Sequence, residues 1–343
     1  IIRNDRMGDM ILTLPVIKEI KSFIPNIRIT VICSKFNFFL CKEANFVDTV
    51  YIYDKGDDII SKIKFLKKFK KLSYDYVFNF SQDIETSILL LLSNSVKRSS
   101  LLYLSRYKNP NISKLFQRLL LKLFKINHII IDRNYFFNNK INFHQTIMMY
   151  KLVKEDLFIK KPRPFHSSIE KNHAKKIFQK RILLHLSNRW IDDKYNEDNF
   201  FELLNELTNK YDKLYLSTDQ KSSKAFKKVY NSFVKYNDQN LHKLYQNSEN
   251  IIILDKLNFK NWRSAIMSSK LVITFECGCV HVASMSNIPL IVVYDFKNKP
   301  DMINKEYAPY TEKYEKVIVN QKQINKKIIT ILNNNNSNIY CRT

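Results

Sequence analysis

The chain has 343 residues, of which 45% are hydrophobic, so it is not an intrinsically disordered protein, and two domains of ordinary size are expected rather than one core. Its 57 Lys and Arg residues against 32 Asp and Glu residues give a net charge of +25. Such a surface predicts anionic partners: nucleic acid, an anionic membrane surface or an acidic lipid. A general bias of the composition towards Lys, Asn and Ile is the alternative explanation for part of this charge.

Five cysteines are scattered along the chain without a Cys-x-x-Cys pair, at positions 33, 41, 277, 279 and 341. An odd number at these spacings predicts reduced thiols in a cytosolic protein and argues against a metal site. The longest candidate apolar run, residues 88–92, is far too short for a membrane span. We recognise no secretory signal, and because the chain starts with Ile rather than Met we expect a few residues of the first strand to be missing.

The N-terminal stretch predicts a strand ending at Arg3, a polar loop at residues 4–9 (NDRMGD) and a helix at residues 10–23. Pro15 is expected near the first turn of this helix, because an interior proline removes a hydrogen bond. Gly8 and Asp9 then lie at a strand-to-helix turn, where the helix dipole stabilises a negative charge. Asp9 is therefore either a helix cap or a base that faces a crevice, and its position alone favours the cap.

Two basic amphipathic segments follow, at residues 59–72 (IISKIKFLKKFKKL) and 111–124 (NISKLFQRLLLKLF). A helix of this kind can lie on an anionic membrane. For the first segment we favour the alternative, a helix packed on a sheet with a solvated basic face. The other elements predicted in this half are strands at 28–33, 47–53 and 74–80 and helices at 35–42, 84–93 and 142–157.

Two closely spaced prolines in the KKPRP segment, residues 160–164, indicate an extended linker. We therefore predict an N-terminal domain at residues 1–160, a linker at 161–175, a C-terminal domain at 176–320, and a C-terminal helix with a frayed tail at 321–343. The second half predicts strands at 182–186, 213–217, 250–255, 271–275 and 290–294, and helices at 171–180, 198–211, 221–235, 260–268, 280–286 and 321–332.

The most informative stretch of the second half is a strand–turn–helix–strand unit at residues 271–295, with the turn at residues 276–279 (ECGC). The chain has three glycines, so Gly278 at this turn is informative. Glycine allows a positive φ and close approach of another group, and the N-terminus of the following helix favours an anion, most simply a phosphate. A tight turn without a ligand explains the same residues equally well.

Both halves thus alternate strands and helices, which predicts an α/β protein of two doubly wound domains with a cleft between them. Ligands of such sheets bind beyond the carboxyl ends of the strands. Three predicted loops lie at such ends, at residues 4–9, 187–197 and 276–279. A carboxylate of one domain would then face an anion site of the other.

Three segments, in order, resemble the signatures of the bacterial heptosyltransferase family, glycosyltransferase family 9: RNDRMGDMILTLPVIKEIK, LLHLSNRWIDDKYNEDNFFELLNEL and ITFECGCVHVASMSNIPLIVVYD. The resemblance implies the GT-B fold, in which two Rossmann-like domains face each other across a cleft that holds the active site. It implies inverting transfer of a sugar, typically heptose from ADP-heptose, to the lipopolysaccharide core at the cytoplasmic face of the inner membrane.

The resemblance also implies the partners. They are a nucleotide sugar, an ADP-linked substrate rather than a cofactor, and a phosphorylated lipid-linked saccharide acceptor. Peripheral contact with the anionic inner membrane is implied as well, whereas a metal ion and a nucleic-acid partner are not.

Roles follow from the same resemblance. Asp9 matches the proposed catalytic base, which takes a proton from the acceptor hydroxyl as that oxygen attacks the anomeric carbon. Lys194 matches the lysine that contacts the donor phosphates, and Ser187 lies where the family has a small polar residue near the donor. The backbone amides at Cys277, Gly278 and Cys279 match the phosphate-binding turn.

The remaining matches are less regular. His281 matches the motif histidine, for which packing and ligand contact are both open. Glu276 stands where the family usually has Asp, and Cys277 where it usually has Ser or Thr. The strand end at residues 216–220 lacks the family's Gly, and Asp219 is a candidate for the acid that binds the ribose.

These departures leave three alternatives open. The chain is a family member with another donor or acceptor, a degenerate member that binds without catalysis, or a basic nucleic-acid-binding protein. The last is supported by charge alone.

Overall fold

The computed structural model describes residues 1–24, 26–104, 112–166, 177–187, 189–191, 195–211, 213–295, 297, 299–319 and 323–334. The chain divides into two units. The first contains Ile1–Phe165 and Asp301–Ala308, and the second contains His166–Pro300 and Pro309–Thr343. Within the described ranges, no helix has the length and apolar character needed to cross a membrane.

Strands and helices alternate through most of the described chain. The strands are β1 (Ile2–Arg3), β2 (Thr30–Cys33), β3 (Thr49–Ile52), β4 (Ser73–Asn79), β5 (Asn94–Tyr103), β6 (Asn127–Ile131), β7 (Ile182–Leu186), β8 (Leu214–Thr218), β9 (Val234–Tyr236), β10 (Ile251–Asp255), β11 (Leu271–Phe275), β12 (Leu290–Asp295) and β13 (Tyr314–Val319). The α-helices are α1 (Met7–Phe23), α2 (Phe38–Glu43), α3 (Ile59–Lys70), α4 (Ile84–Leu91), α5 (Ile112–Leu123), α6 (Arg133–Asn138), α7 (Gln145–Leu157), α8 (Glu197–Tyr211), α9 (Ser222–Ala225), α10 (Lys227–Ser232), α11 (Phe259–Ser268), α12 (Gly278–Met285), α13 (Pro300–Tyr307) and α14 (Ile324–Asn334).

The first unit is built on a six-stranded parallel sheet with the order β3-β2-β1-β4-β5-β6. This is the order of a Rossmann-like doubly wound sheet. Ile2 is paired with Ile32 on one side and with Asn79 on the other, so the strand order reverses between β1 and β4. The carboxyl ends of β1 and β4 are therefore the expected ligand edge of this unit.

The second unit is built on a seven-stranded parallel sheet with the order β13-β12-β11-β7-β8-β10-β9. Its first strand, β7, lies between β11 and β8, with Leu271 opposite Ile182 and Leu214 on the other side of Ile182. The reversal of strand order falls between β7 and β11. The loops that follow these two strands begin at Ser187 and Glu276.

The central strands are buried on both faces because helices cover each sheet from both sides. Every residue of β7 (ILLHL) and of β11 (LVITF) is buried. Two continuous apolar runs bounded by polar turns predicted these strands, and their observed limits agree with the prediction. The predicted architecture of two parallel α/β domains is confirmed.

The first helix differs from its prediction. It begins at Met7 rather than at residue 10, so Gly8 and Asp9 lie in its first turn, and Pro15 lies in its interior rather than near the start. An interior proline has no N–H for the carbonyl four residues earlier. The helix tolerates this cost because it is buried on both sides of the proline, from Met10 to Ile17.

Several other elements depart from the sequence analysis. The predicted helix at 221–235 is two short helices followed by the edge strand β9. Strands β5, β6 and β13 and helices α6 and α13 are not predicted at all, partly because β5 and β13 mix charged and apolar residues. Residues 301–308, which the sequence places in the C-terminal domain, belong to the first unit. The predicted helix at 171–180 and the predicted frayed tail fall largely outside the described residues.

Candidate functional site

Asp9 lies in the first turn of α1, close after the carboxyl end of β1. Its Oδ2 accepts a hydrogen bond from the Arg6 backbone N–H at 3.3 Å, which is the contact that a carboxylate at the third helical position makes in a capping box. The side chain is 14% exposed. The predicted capping role is therefore present, and it leaves part of the carboxylate accessible.

The second oxygen of Asp9 is held by a buried arginine. Arg3 Nη2 lies 3.0 Å from Asp9 Oδ1 and 3.3 Å from Gln145 Oε1, and Nη1 donates to the Phe80 carbonyl. The Arg3 side chain is completely buried. Arg3 was not singled out from the sequence, although a cation at the end of an apolar strand is a usable signal of a buried polar site.

The Arg3 contact extends into a buried polar network of the first unit. Gln145 Nε2 donates to Glu306 Oε1 at 2.9 Å, and Glu306 accepts from Arg133 through both oxygens, at 2.5 and 2.6 Å. Arg133 and Glu306 are 1% and 0% exposed. A residue of α13 is thus connected to Asp9 through two intervening side chains, and this fixes the orientation of the Arg3 guanidinium.

A second polar feature lies at the same sheet edge. Asn4 follows β1 and is buried, its backbone N–H donates to Ser81 Oγ at 3.0 Å, and its amide Nδ2 and Oδ1 have no hydrogen-bond partner among the described residues. Lys55 Nζ lies 3.5 Å from Asp5 and 3.0 Å from Asp83. Burial raises the pKa of Asp5 although the Arg3 guanidinium lowers it. Charged groups and one unsatisfied amide therefore collect where β1 and β4 end.

In the second unit, α12 begins at Gly278, directly after the extended N-cap residue Cys277. A Cβ atom at Gly278 would meet nothing within 4 Å, and none of the three glycines, all within the described residues, has a positive φ. Gly278 therefore does not use the positive φ that glycine allows, whereas open space in front of its backbone is found. That space adjoins the free N–H groups of a helix N-terminus, which is an arrangement suited to an anion.

The two cysteines beside Gly278 are thiols. Burial raises the pKa of Cys277, whose Sγ lies 3.5 Å from Thr274 Oγ1, and burial raises the pKa of Cys279 well above its usual range. Cys277 makes no side-chain capping bond to α12. Since the Cys279 side chain is buried, only its backbone amide is placed to serve a ligand.

Glu276 forms an ion pair with Arg189. Arg189 Nη1 donates to both the Glu276 carboxylate and the Glu276 backbone carbonyl, and the side chains are 47% and 21% exposed. Trp190 anchors this loop: it is fully buried, its Nε1 donates to the His185 carbonyl at 3.0 Å, and its ring packs against Phe275 with centroids 4.8 Å apart. Arg189 was not singled out from the sequence, and its signal there is its place in the loop directly after the central strand β7.

Ser187 lies at the carboxyl end of β7, beside the strand that leads to Gly278. Its side chain is buried, and its Oγ has no hydrogen-bond partner within the described ranges. His281 is buried within α12. Asp219 is exposed and accepts from the N–H groups of Lys221 and Ser222 at 2.8 and 2.6 Å, so its carboxylate holds the turn that leads into α9.

The second unit therefore brings most of the predicted donor-binding residues to the ends of two adjacent strands: Ser187, Glu276, Cys277, Gly278, Cys279 and His281. Asp9 lies at the equivalent edge of the first unit. Lys194 lies outside the described residues. Among the side chains that the structure describes, no group of three His, Cys, Asp or Glu residues is arranged to hold a metal ion.

The sequence matches the model of glycosyltransferase family 9 (heptosyltransferase) over residues 62–335. Among curated proteins, none matches it significantly. Among solved structures it is similar to Escherichia coli heptosyltransferase WaaC with ADP, with a TM-score of 0.69 and 15% identity over 97% of this chain and 98% of that chain. The same enzyme with ADP-2-deoxy-2-fluoro heptose gives a TM-score of 0.66 at 15% identity, over 97% and 98% of the two chains.

Two further solved structures are similar. The ADP-heptose lipopolysaccharide heptosyltransferase II of E. coli has a TM-score of 0.67 and 13% identity over 98% of both chains. A family 9 glycosyl transferase from Veillonella parvula has a TM-score of 0.69 and 14% identity over 97% of this chain and 96% of that chain. At these identities the similarity establishes the fold, and it confirms the predicted GT-B class.

Proposed function

Since the chain belongs to glycosyltransferase family 9 (heptosyltransferase), as its sequence motifs predicted, we propose that it transfers a sugar with inversion from a nucleotide sugar to a saccharide hydroxyl. The observation that carries this proposal is the family match over residues 62–335. Gly278 lies within that range, and a Cβ atom there would meet open space. Asp9 lies outside the matched range, so its role depends on its place at the ligand edge of the first unit.

In the proposed reaction the acceptor hydroxyl attacks the anomeric carbon as the bond from that carbon to the diphosphate breaks. Asp9 accepts the hydroxyl proton, and the nucleoside diphosphate leaves with the bonding electrons. The leaving group gains negative charge, which the N-terminal amides of α12 at Gly278 and the side chain of Lys194 stabilise. Arg189 lies near this turn as well, ion-paired with Glu276.

The proposed donor is ADP-heptose. Its support is that structures of E. coli WaaC, which shares this fold, contain ADP or ADP-2-deoxy-2-fluoro heptose. The proposed acceptor is the phosphorylated, lipid-linked core of a lipopolysaccharide or lipooligosaccharide at the cytoplasmic face of the inner membrane. The net charge of +25 suits such an acceptor and peripheral contact with an anionic membrane.

The test is release of ADP from ADP-linked sugars in the presence of a lipooligosaccharide acceptor, compared between the wild type and Asp9→Asn. We expect Asp9→Asn to lower kcat by about a hundredfold or more, the range of general base catalysis, while donor binding measured by calorimetry is retained. Asp75→Asn is the matched control, because Asp75 is an exposed aspartate of the same unit on β4. Equal turnover by Asp9→Asn and the wild type would remove Asp9 as the base.

A second candidate is a family member that binds a nucleotide sugar without transferring it. It is favoured by Cys277, which makes no capping bond to α12, and by Glu276, whose carboxylate neutralises Arg189. Under this candidate, ADP-linked sugars raise the thermal midpoint by mass action but no ADP is released with any acceptor. A family member that uses a different donor sugar would instead turn over another nucleotide sugar of a panel, and ADP-heptose would be inactive.

A further inference from the structure

Helix α5 directs most of its apolar side chains outward. Leu115 and Phe116 are each 50% exposed, Leu119 is 62% exposed and Leu123 is 70% exposed. Leu115, Leu119 and Leu123 recur every four residues, so they form one stripe along the helix. Four exposed apolar side chains along one face of a helix in a folded domain mark an interaction surface.

The opposite face of α5 is buried and partly polar, so the orientation of the helix is fixed. Gln117 is 1% exposed, and its Nε2 donates to Ser87 Oγ at 2.5 Å and to the Asp83 carbonyl at 3.3 Å. Lys114 Nζ donates to Gln117 Oε1 at 3.1 Å, and Leu121 is fully buried beside them. Rotating the stripe inward would break these buried hydrogen bonds and expose Leu121.

Positive charge flanks the stripe. Residues 112–125 (ISKLFQRLLLKLFK) contain four basic residues and no acidic one. Arg118 and Lys122 immediately precede Leu119 and Leu123, so they line one border of the stripe. An apolar face bordered by cations on a helix is the pattern of helices that lie in the surface of an anionic bilayer.

Helix α3, the other basic amphipathic helix, is arranged differently. Its Phe69 is buried in the core of the first unit, and Phe65 and Leu66 pack against that core. Most of its lysines are solvated on the outer face, which agrees with the interpretation favoured from the sequence. Its exposed apolar residues, Ile59, Ile60 and Ile63, lie at its N-terminal end.

The N-terminus of α5 also lies at the sheet edge that holds Asp9. Lys114 donates to the backbone carbonyl of Gln82, which follows β4, and the neighbouring Ser81 contacts the backbone of Asn4. Asn4 directly follows Arg3, the partner of Asp9. Lys114, next to Leu115 at the start of the stripe, is thus linked through residues 81 and 82 to the segment that carries Asp9.

We infer that the outward face of α5, formed by Leu115, Phe116, Leu119 and Leu123 with Arg118 and Lys122, docks on an anionic lipid bilayer. Charge complementarity selects this occupant: a second copy of the chain would bring the same cations against the same face, and like charges oppose such an interface. The inference extends the proposed function, because docking here places the saccharide of a lipid-linked acceptor towards the edge that carries Asp9.

The test is sedimentation of the full chain with vesicles, either of phosphatidylcholine alone or of equimolar phosphatidylcholine and phosphatidylglycerol. We expect binding to the mixed vesicles only. The double variant Leu119→Ser/Leu123→Ser should weaken it by at least about tenfold, because two exposed apolar side chains no longer enter the bilayer. Lys122→Glu should weaken it by roughly tenfold at low salt.

The matched control is Ile59→Ser/Ile60→Ser, which removes two equally exposed residues of α3 and should leave vesicle binding unchanged. Loss of binding with this variant and not with the α5 variant would overturn the assignment. Equal binding to both kinds of vesicle, or no binding to either, would also overturn it. So would a dimer that dissociates in the α5 variant, because the occupant would then be a second copy.

The two proposals fail separately. Vesicle binding is measured without donor or acceptor, so it is independent of catalysis. If the α5 variant binds vesicles like the wild type while Asp9→Asn loses turnover, only the docking inference fails. If vesicle binding is lost as expected while Asp9→Asn turns over normally, only the role of Asp9 fails.

Discussion

Arg3 and Asp9 form an ion pair of 3.0 Å in which the arginine side chain is completely buried and the carboxylate is 14% exposed. The buried partner is held by Gln145 and by the Phe80 carbonyl as well. A rigid cation behind a partly accessible carboxylate restricts the positions that the carboxylate can take. Arg3 is therefore a positioning residue for Asp9.

Replacing Arg3 by lysine tests this role. The planar guanidinium reaches three acceptors at once, whereas a lysine ammonium on a flexible stem cannot hold the same set. We expect Arg3→Lys to lower kcat by about tenfold with little change in the KM for the donor, since donor contacts are not altered. Steady-state kinetics checks this result, and Arg98→Lys is the control because Arg98 donates to Ser95 and Ser93 elsewhere in the same unit. An unchanged kcat would show that Asp9 does not depend on Arg3.

Breaking the Arg133–Glu306 pair should destabilise the first unit. Both side chains are buried, so Glu306→Gln leaves the charge of Arg133 without its counter-ion and is expected to cost about 3–5 kcal/mol. Urea unfolding followed by circular dichroism measures the loss. Both tryptophans, Trp190 and Trp262, belong to the second unit, so their fluorescence follows that unit separately.

The control for this pair is Lys35→Gln. Lys35 forms an ion pair of 2.6 Å with Asp57 but is 63% exposed, so solvent screens the pair and its removal should have little effect on stability. An equally small loss of unfolding free energy in Glu306→Gln would mean that the buried network does not stabilise the unit.

The elements predicted best from the sequence are those whose signal lies in a few consecutive residues. Continuous apolar runs gave the limits of β7 and β11, because strands buried on both faces need no alternation. The ECGC turn likewise fixed the start of α12 to within two residues. By contrast, β13 (YEKVIV) and the three-residue β9 are edge strands that carry charged residues, so their local pattern is ambiguous.

The polar network behind Asp9 could not be predicted from local patterns. Arg3 meets Gln145 across 142 positions of the chain, Gln145 meets Glu306 across 161, and Glu306 meets Arg133 across 173. In the sequence, Gln145, Glu306 and Arg133 each resemble an ordinary surface side chain. Their pairing depends on the order β1-β4-β5-β6 and on the position of α13, which only the folded chain defines.

Gly278→Ala tests whether Gly278 is needed for the fold or for binding the donor. The φ at Gly278 is not positive and a Cβ would meet no atom within 4 Å, so alanine should leave the fold unchanged or stabilise α12 by up to about 1 kcal/mol. If a donor phosphate occupies that space, the added methyl group should weaken ADP binding by at least about tenfold, or 1.4 kcal/mol. Calorimetric titration with ADP measures the change.

Gly56→Ala is the matched control for ADP binding. A Cβ there would lie 3.6 Å from Asp54 Oδ1, an ordinary contact in an exposed turn of the first unit. An ADP affinity that is the same in Gly278→Ala and in the wild type would place the donor phosphates elsewhere.

His185 should make the second unit less stable in acid. Burial lowers its pKa to about 4 from 6.5, against a smaller opposite effect of Asp219, and its Nδ1 lies 2.8 Å from Ser217 Oγ. The folded state therefore favours the neutral ring, so the stabilisation is complete above the unfolded pKa and is lost as the pH falls from 6.5 towards 4. The shift corresponds to about 3 kcal/mol over that window. Tryptophan fluorescence during urea unfolding should show a smaller loss of stability in His185→Gln than in the wild type. The control is His242→Gln, whose histidine is exposed and which should lose stability like the wild type. Parallel pH curves for all three proteins would contradict the prediction.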